Sequence, residues 1–515
     1  MVKLKSKKNA LKSQRTTWVM VMVSVAIIAL GFGIQKLAVS RVNSQQAFSL
    51  AGSPLGPAGL SIPALNSGGS TSSWYCVWPN PAGQKTVGRV EFINLAGQKA
   101  EIGLYYKGAT KAISKLVVPG KSIDKLDLGS FSNQSAGGVG IVARGGEVAV
   151  AVVLSTPQGS VAAPCQATPG FYWVLQDGAT TAGTHFKVAI FNPLQTTAVL
   201  DIRLLSPSGV TDLGTLQGIV VRPGGTFGFD LSKRFPGHQN VVVEVRARSG
   251  SIVVSGLSQY QTATNIGASL LLGVNRPSSK WYLPSLTNSP GVSTKLIIFN
   301  PSTSVANANV AVVGSSGKVG VIAGTGVGGS HFSQTIEPQS FSVVDLSSST
   351  SLPQASAYGV SVSDSGVGLV VSADVVVPIA GQPSAAYSEL GYSVPAKEWI
   401  TFQGEPPSGS GLAIQDASGG GNGGSYSLEA ITATNSPPSA VQSVETKATA
   451  NIVKSSKGTL HGGVTVVKGQ IALVSLGSQG TFAVRVRMAN PAVVVPISQG
   501  SIASQLNSMA FPVRG

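Results

Sequence analysis

Short stretches of alternating apolar and polar residues, set off by Gly, Pro, Asn and Asp, run through most of this chain. Lys187-Val188-Ala189-Ile190-Phe191 and Val243-Glu244-Val245-Arg246-Ala247-Arg248 are two of them. A period of two places alternate side chains on opposite faces, so these segments predict strands in sheets with one dry and one wet face. Pro-Gly pairs at Pro119-Gly120 and Pro223-Gly224 predict turns that feed a following strand. The strand-closing Asn192-Pro193 and Asn300-Pro301 predict strand ends, because Pro cannot donate to a central ladder and Asn tolerates turn geometry.

The pattern repeats. A first unit opens on Trp74-Tyr75-Cys76 and passes through RVEFINL, which ends in Asn94-Leu95. It continues with VVPGKSIDKLDLGS, which holds Asp127, and closes on GVGIVARGGEVAVAVVLS. A second opens on Phe171-Tyr172-Trp173, then gives HFKVAIFNP, VVRPGGTFGFDLS with Asp230, and VVVEVRARSGSIVVSGLS. The third opens on Trp281-Tyr282 and gives KLIIFNP, IEPQSFSVVDLS with Asp345, and YGVSVSDSGVGLVVSADVV. A worn fourth starts at Glu398-Trp399-Ile400, passes SLEAITATNSPP and VVKGQIALVSLGS, and ends with FAVRVRMANPAVVVPIS; Ser475 stands where the others carry Asp.

Units of about a hundred residues suit a two-sheet sandwich better than a solenoid coil or a propeller blade, which needs only about 20 to 50. The expected fold is therefore all-β, with tandem Ig-like sandwich modules at 74–168, 169–279, 280–394 and 395–515. The last is degenerate and carries a Gly-rich insert at Gly419 to Ser425. A propeller with several small blades per repeat is the alternative architecture.

Ahead of the repeats the pattern changes. Lys3, Lys5, Lys7, Lys8, Lys12 and Arg15 fill a basic head at 1–15, and an uncharged, mostly apolar run covers 16–35. About twenty such residues can cross a bilayer as a helix. The basic head then stays in the cytoplasm and the bulk of the chain lies outside. A cleaved signal peptide ending near Ala38 and Ser40 is the competing reading, although Lys36 interrupts it. Residues 36–73, rich in Gly, Ser, Pro and Ala, are expected to form a flexible linker.

Composition sharpens this picture. Of 515 residues only 11% are charged and 43% are hydrophobic, enough apolar material for several cores. The net charge of +16 suggests nucleic acid until it is partitioned. The six basic residues of the head, with Lys36 and Arg41, precede the first acid, Glu91, and account for half of it. No basic cluster with interleaved aromatics follows, so no nucleic-acid partner is expected.

Cys76 and Cys165 bracket the first unit, and outside the cytoplasm a disulfide between them is the economical reading, against two free thiols. Catalytic chemistry is scarce. His185, His238, His331 and His461 show no ligand spacing, and no nucleophile elbow or phosphate-binding loop occurs. Asp127, Asp230 and Asp345 recur at one position in separate units, which indicates a shared turn or strand-end role. No catalytic residue, cofactor or metal is expected. Trp74, Trp78, Trp173, Trp281 and Trp399 fall near unit starts, where core packing is the expected use and sugar stacking the alternative.

The basic head, single apolar run, Ser/Gly linker, opening Trp74-Tyr75-Cys76 and repeated Asn-Pro strand ends resemble an uncharacterised actinobacterial family of membrane-anchored secreted proteins with a domain of unknown function. The resemblance covers roughly Trp74 to the C-terminus and implies tandem sandwiches in the cell envelope, with no catalytic residues to carry over. The expected function is a non-catalytic scaffold or binding module for cell-wall polymers or envelope proteins. The alternative is an enzyme, or an accessory to one, acting on wall glycans.

Overall fold

The computed structural model describes residues 71–80, 87–106, 111–129, 136–314, 317–318, 331–347, 356–379, 381–403, 410–417, 424–432, 451–454, 459–466, 471–475, 482–498 and 508–514. The basic head, the apolar run, nearly all of the linker and residues 419–423 of the Gly-rich insert lie outside them. Among the described residues no helix is long and apolar enough to cross a membrane. The protein is all-β with several sheets, an arrangement compatible with sandwich modules.

Strands Thr71–Pro79, Ala136–Arg144, Ala100–Tyr105 and Ser114–Val118 lie side by side in that order. The first of them starts inside the expected linker. Ser122–Asp127, Val87–Asn94, Val148–Thr156 and Gly159–Pro164 form a second sheet, and the two enclose one core around Trp74, Phe92, Ile141 and Val150.

The next stretch pairs its strands in the same sequential order. Tyr172–Gly178, Val241–Ser249 and Ala198–Ser206 make one sheet, with Ile219–Val221 at its edge. Thr226–Asp230, Thr184–Phe191, Val253–Gln261 and Asn265–Leu272 make the other. In the third pair, Lys280–Asn288, Ser356–Ser363, Ala306–Gly314 and His331–Ile336 face Ser340–Asp345, Ser293–Asn300, Val370–Ile379 and Gln382–Leu390. The second and third pairs share an eight-stranded sheet, because Asn265 and Ile266 run parallel to Ser384 and Ala385.

The last set departs from this plan. A 17-residue strand, Phe482–Ser498, pairs through its first half with Ala396–Gln403 and Gly424–Thr432, and through its second half with Ser410–Asp416. It does the work of two strands that elsewhere belong to the two different sheets of a pair and are joined by a short turn such as Gly145-Gly146, where both glycines have positive φ (68° and 75°). Met488-Ala489-Asn490-Pro491 instead continues as part of the one strand. The terminal strand Ser508–Arg514 then pairs with Ala396–Gln403. Ser410–Asp416, and not the SLEAITATNSPP segment, occupies the place of the Asn-ended strands, because Asp416 faces Ala492 as Asn94 faces Val148.

The expectation of one wet face fails for the central strands. Val148 to Leu154 and Val253 to Tyr260 are buried at every position, as in strands covered on both faces. Other sheet pairs provide the cover. The first core takes in Leu257, Ala268 and Leu270 from the second pair and Ile400 and Ala483 from the last set. Ser255 Oγ donates to the Val77 carbonyl at 2.8 Å. Lys187, on the polar side of its strand, is buried with Nζ donating to the Asn80 carbonyl at 3.3 Å, and burial lowers its pKa. Arg485 reaches Glu147 of the first pair at 3.4 Å while also bonding Glu398.

Candidate functional site

Four tryptophans open the four strand sets, and each is fully buried. Trp173 Nε1 donates to the carbonyls of Gly170 (3.2 Å) and Ile252 (2.9 Å). Trp281 uses Ser278 (3.1 Å) and Leu369 (2.9 Å), and Trp399 uses Ala396 (3.1 Å) and Ala492 (2.8 Å). Each of these indoles therefore ties the carbonyl three residues before it to a second one, at the entrance of a central strand for Trp173 and Trp281 and within the long strand for Trp399. Trp74 differs in donating to Ser72 Oγ at 3.3 Å. Trp78 is buried in the same first core. These rings present no face to solvent on which a sugar could stack.

The residue after each of the first three tryptophans bridges to the segment leaving its own strand set: Tyr75 to Gln166, Val174 to Val274, Tyr282 to Tyr392. Tyr172 is therefore not the counterpart of Tyr75 and Tyr282. It lies one residue before Trp173, and its hydroxyl donates to Glu244 while the Arg246 guanidinium sits 5.5 Å from its ring centroid. Burial, then the Glu244 charge, pushes its pKa up.

One step along each bridge lies Cys76 opposite Cys165, joined as a disulfide with a Cα–Cα distance of 4.5 Å. The same step gives Leu175 opposite Gly273 and Leu283 opposite Gly391. The amides of Cys165, Gly273 and Gly391 donate to Val150, Val254 and Val371, which confirms the correspondence. A Cβ on Gly273 would stand 2.7 Å from the Trp173 ring and one on Gly391 3.1 Å from the Trp281 ring. The disulfide thus replaces a Leu-on-Gly contact found in the two following pairs.

The strand-end asparagines are buried knots and not merely turn formers. Asn94 Nδ2 donates to Gln98 (2.8 Å), Val118 (3.2 Å) and Pro119 (2.9 Å) carbonyls. Asn192 donates to Thr196 (2.7 Å) and Val221 (3.0 Å), and Asn300 to Ser304 (2.7 Å), Ile336 (3.1 Å) and Glu337 (3.2 Å). In all three, Oδ1 accepts from the amide two residues on. Pro193 and Pro301 follow the knots outside their strands. Asp416 holds the corresponding place in the last set, and a carboxylate cannot donate in this way.

Asp127, Asp230 and Asp345 pair in register with Arg89, Lys187 and Lys295, whereas Ser475 pairs with Gly411. Asp230 caps the one-turn helix Leu231–Arg234 by accepting from the Ser232 amide, and Asp345 accepts from the Ser347 amide at 2.9 Å. Asp127 is exposed. Asp230 and Asp345 end opposite edges of the eight-stranded sheet, so the three carboxylates do not converge. His185 and His331 are exposed, His238 stacks on Phe235, and the His461 side chain lies outside what is described. Among the described residues no group of three or more His, Cys, Asp or Glu could hold a metal ion.

The sequence reading missed one feature. Asp177 of the second pair is buried, Asp374 of the third is half-buried with its Oδ1 covered, and the two carboxylates interact electrostatically. Ala373 and Val375 point into the third core, so Asp374 turns outward beside Val376, which packs on Ala179, Tyr260 and Ala386. Asp177 sits at an irregularity of its strand with φ 68°. Burial, reinforced by the neighbouring Asp374, raises the Asp177 pKa well above the carboxylate range. Burial lifts Asp374 to about 6, against the opposing pull of Lys295. Asp177 Oδ2, Asp374 Oδ1 and both side-chain polar atoms of Gln176 are buried without a hydrogen-bond partner.

No curated protein matches the chain. Among solved structures, a Thermotoga maritima protein, 1070, is similar at 14% identity, with 23% of this chain and 95% of that one covered and a TM-score of 0.19. A Streptomyces avermitilis α-L-rhamnosidase solved with L-rhamnose is similar at 8% identity over 66% of this chain and 44% of that one, TM-score 0.14. The major pilin subunit of Bacillus cereus is similar at 9% identity over 59% of this chain and 93% of that one, TM-score 0.12. The model of one protein family matches residues 129–390, from the last strands of the first sheet pair through the third: the chain belongs to DUF5719, a family of unknown function.

Proposed function

We propose that the protein is a non-catalytic scaffold or binding module of the actinobacterial cell envelope, made of tandem Ig-like sandwich modules. Its N-terminal apolar run anchors it in the membrane and its bulk lies outside. It presents sheet faces to cell-wall polymers or to envelope proteins.

The observation that carries this reading is the use made of the recurring polar side chains. The Trp173, Trp281 and Trp399 indoles and the Asn94, Asn192 and Asn300 amides all spend their donors on backbone carbonyls of their own strand set. What recurs builds a framework. The Cys76–Cys165 disulfide suits an oxidising compartment, in agreement with a topology that puts the bulk outside. Affinity capture of the full chain from detergent-solubilised envelope tests the proposal. Co-recovery of wall polymer or of a defined envelope protein supports it, and recovery of cytoplasmic partners alone overturns it.

A further inference from the structure

The seam between the second and third sheet pairs holds two carboxyl groups that the framework does not use. Around Asp177 and Asp374 stand Tyr260 from one strand, Ser388 from another, and Lys295, which pairs with Asp374 in register on one side of its strand and with Asp345 on the other. Ser388 Oγ donates to the Asp177 carbonyl at 3.3 Å, and the Ser388 amide donates to Ser269 Oγ at 2.8 Å. The His238 backbone bonds Thr180 near this end of the seam, its amide donating to Thr180 Oγ1 at 3.1 Å and its carbonyl accepting from the Thr180 amide at 2.8 Å. Lys295 can neutralise one carboxylate. The other, Asp177, is buried, and a buried carboxylate without a counter-charge is expensive.

We infer that Asp177 and Asp374 share one proton taken from solvent, and that this proton latches the second sheet pair onto the third. One acid then donates to the other's free oxygen, and the charges of Asp374 and Lys295 cancel. Loss of the proton sets two carboxylates against each other and loosens the seam. The inference stands apart from the envelope reading. A folded-state pKa above the unfolded value gives stability that is present in full at acid pH and is lost as pH climbs through the folded pKa. The window therefore opens near the ordinary aspartate value of 3.8, includes the Asp374 value of about 6, and extends upward with Asp177.

The test compares the full chain with its Asp177→Asn variant from about pH 4 to about pH 8. Asn keeps the shape, tolerates the positive φ and donates an amide hydrogen where the acid donated its proton. The variant should melt with wild type at the acid end and above it at the alkaline end. Protection of the amides at 174–178 and 372–376, taken relative to the intrinsic exchange rate at each pH, should fall as pH rises in wild type only. Infrared spectra of wild type should show a neutral-carboxyl stretch persisting above pH 7 that is absent from Asp177→Asn; this readout does not depend on stability. A variant that tracks wild type at every pH, or a missing carboxyl stretch, overturns the latch. So does full recovery of the wild-type seam at about pH 8 on adding sodium, potassium or calcium chloride, which would assign the pair to a cation.

Discussion

The Trp281 indole nitrogen lies 2.9 Å from the Leu369 carbonyl oxygen and joins the opening strand of the third sheet pair to the entrance of its central strand. The ring is fully buried beside Leu283 and Val371. Trp281→Ala removes both the packing and the tie and should cost about 3 to 5 kcal/mol. Hydrogen exchange of the full chain should show this loss in 280–390 while 87–164 is spared. Wild-type protection in the variant, with reduced retention on wall polysaccharide, would make Trp281 a ligand platform instead.

Cys76 and Cys165 close a loop with a sequence separation of 89, for which chain entropy gives up to about 4 to 5 kcal/mol. Mass spectrometry without reduction should recover the linked peptides. Cys76→Ser should lower the melting temperature of the first sheet pair and leave the third unaffected. Because the next pairs place Leu opposite Gly here, Cys76→Leu with Cys165→Gly should keep more stability than Cys76→Ser alone.

Asn192→Asp keeps the shape of the knot but removes its donors to the Thr196 and Val221 carbonyls. A buried acceptor left unsatisfied costs about 1 to 3 kcal/mol. Urea unfolding should show a loss of at least that size. An unchanged midpoint would mean that the knot contributes nothing to stability.

The all-β class and the disulfide were legible in the sequence because both rest on local signals, a period of two and two cysteines bracketing one unit. The recurring Trp and Asn positions were visible as well. Their partners were not, since Val221 and Leu369 enter the geometry only once strands far apart in sequence are paired. Lys187 and Glu244 were misread for a related reason. Alternation marks two faces but does not say that another sheet pair will cover the polar one. Asp177 lies in no motif, and its partner Asp374 comes from a different strand set, so only the folded chain brings the two acids together.

The placement of the bulk outside the membrane is tested most directly by protease added to intact, wall-stripped cells, with antibodies against the strands of 172–390 as the readout. The account predicts that this region is digested while cytoplasmic proteins survive, and that it sediments with membranes when protease is omitted. Full protection of the chain in intact cells, with digestion only after lysis, would contradict it.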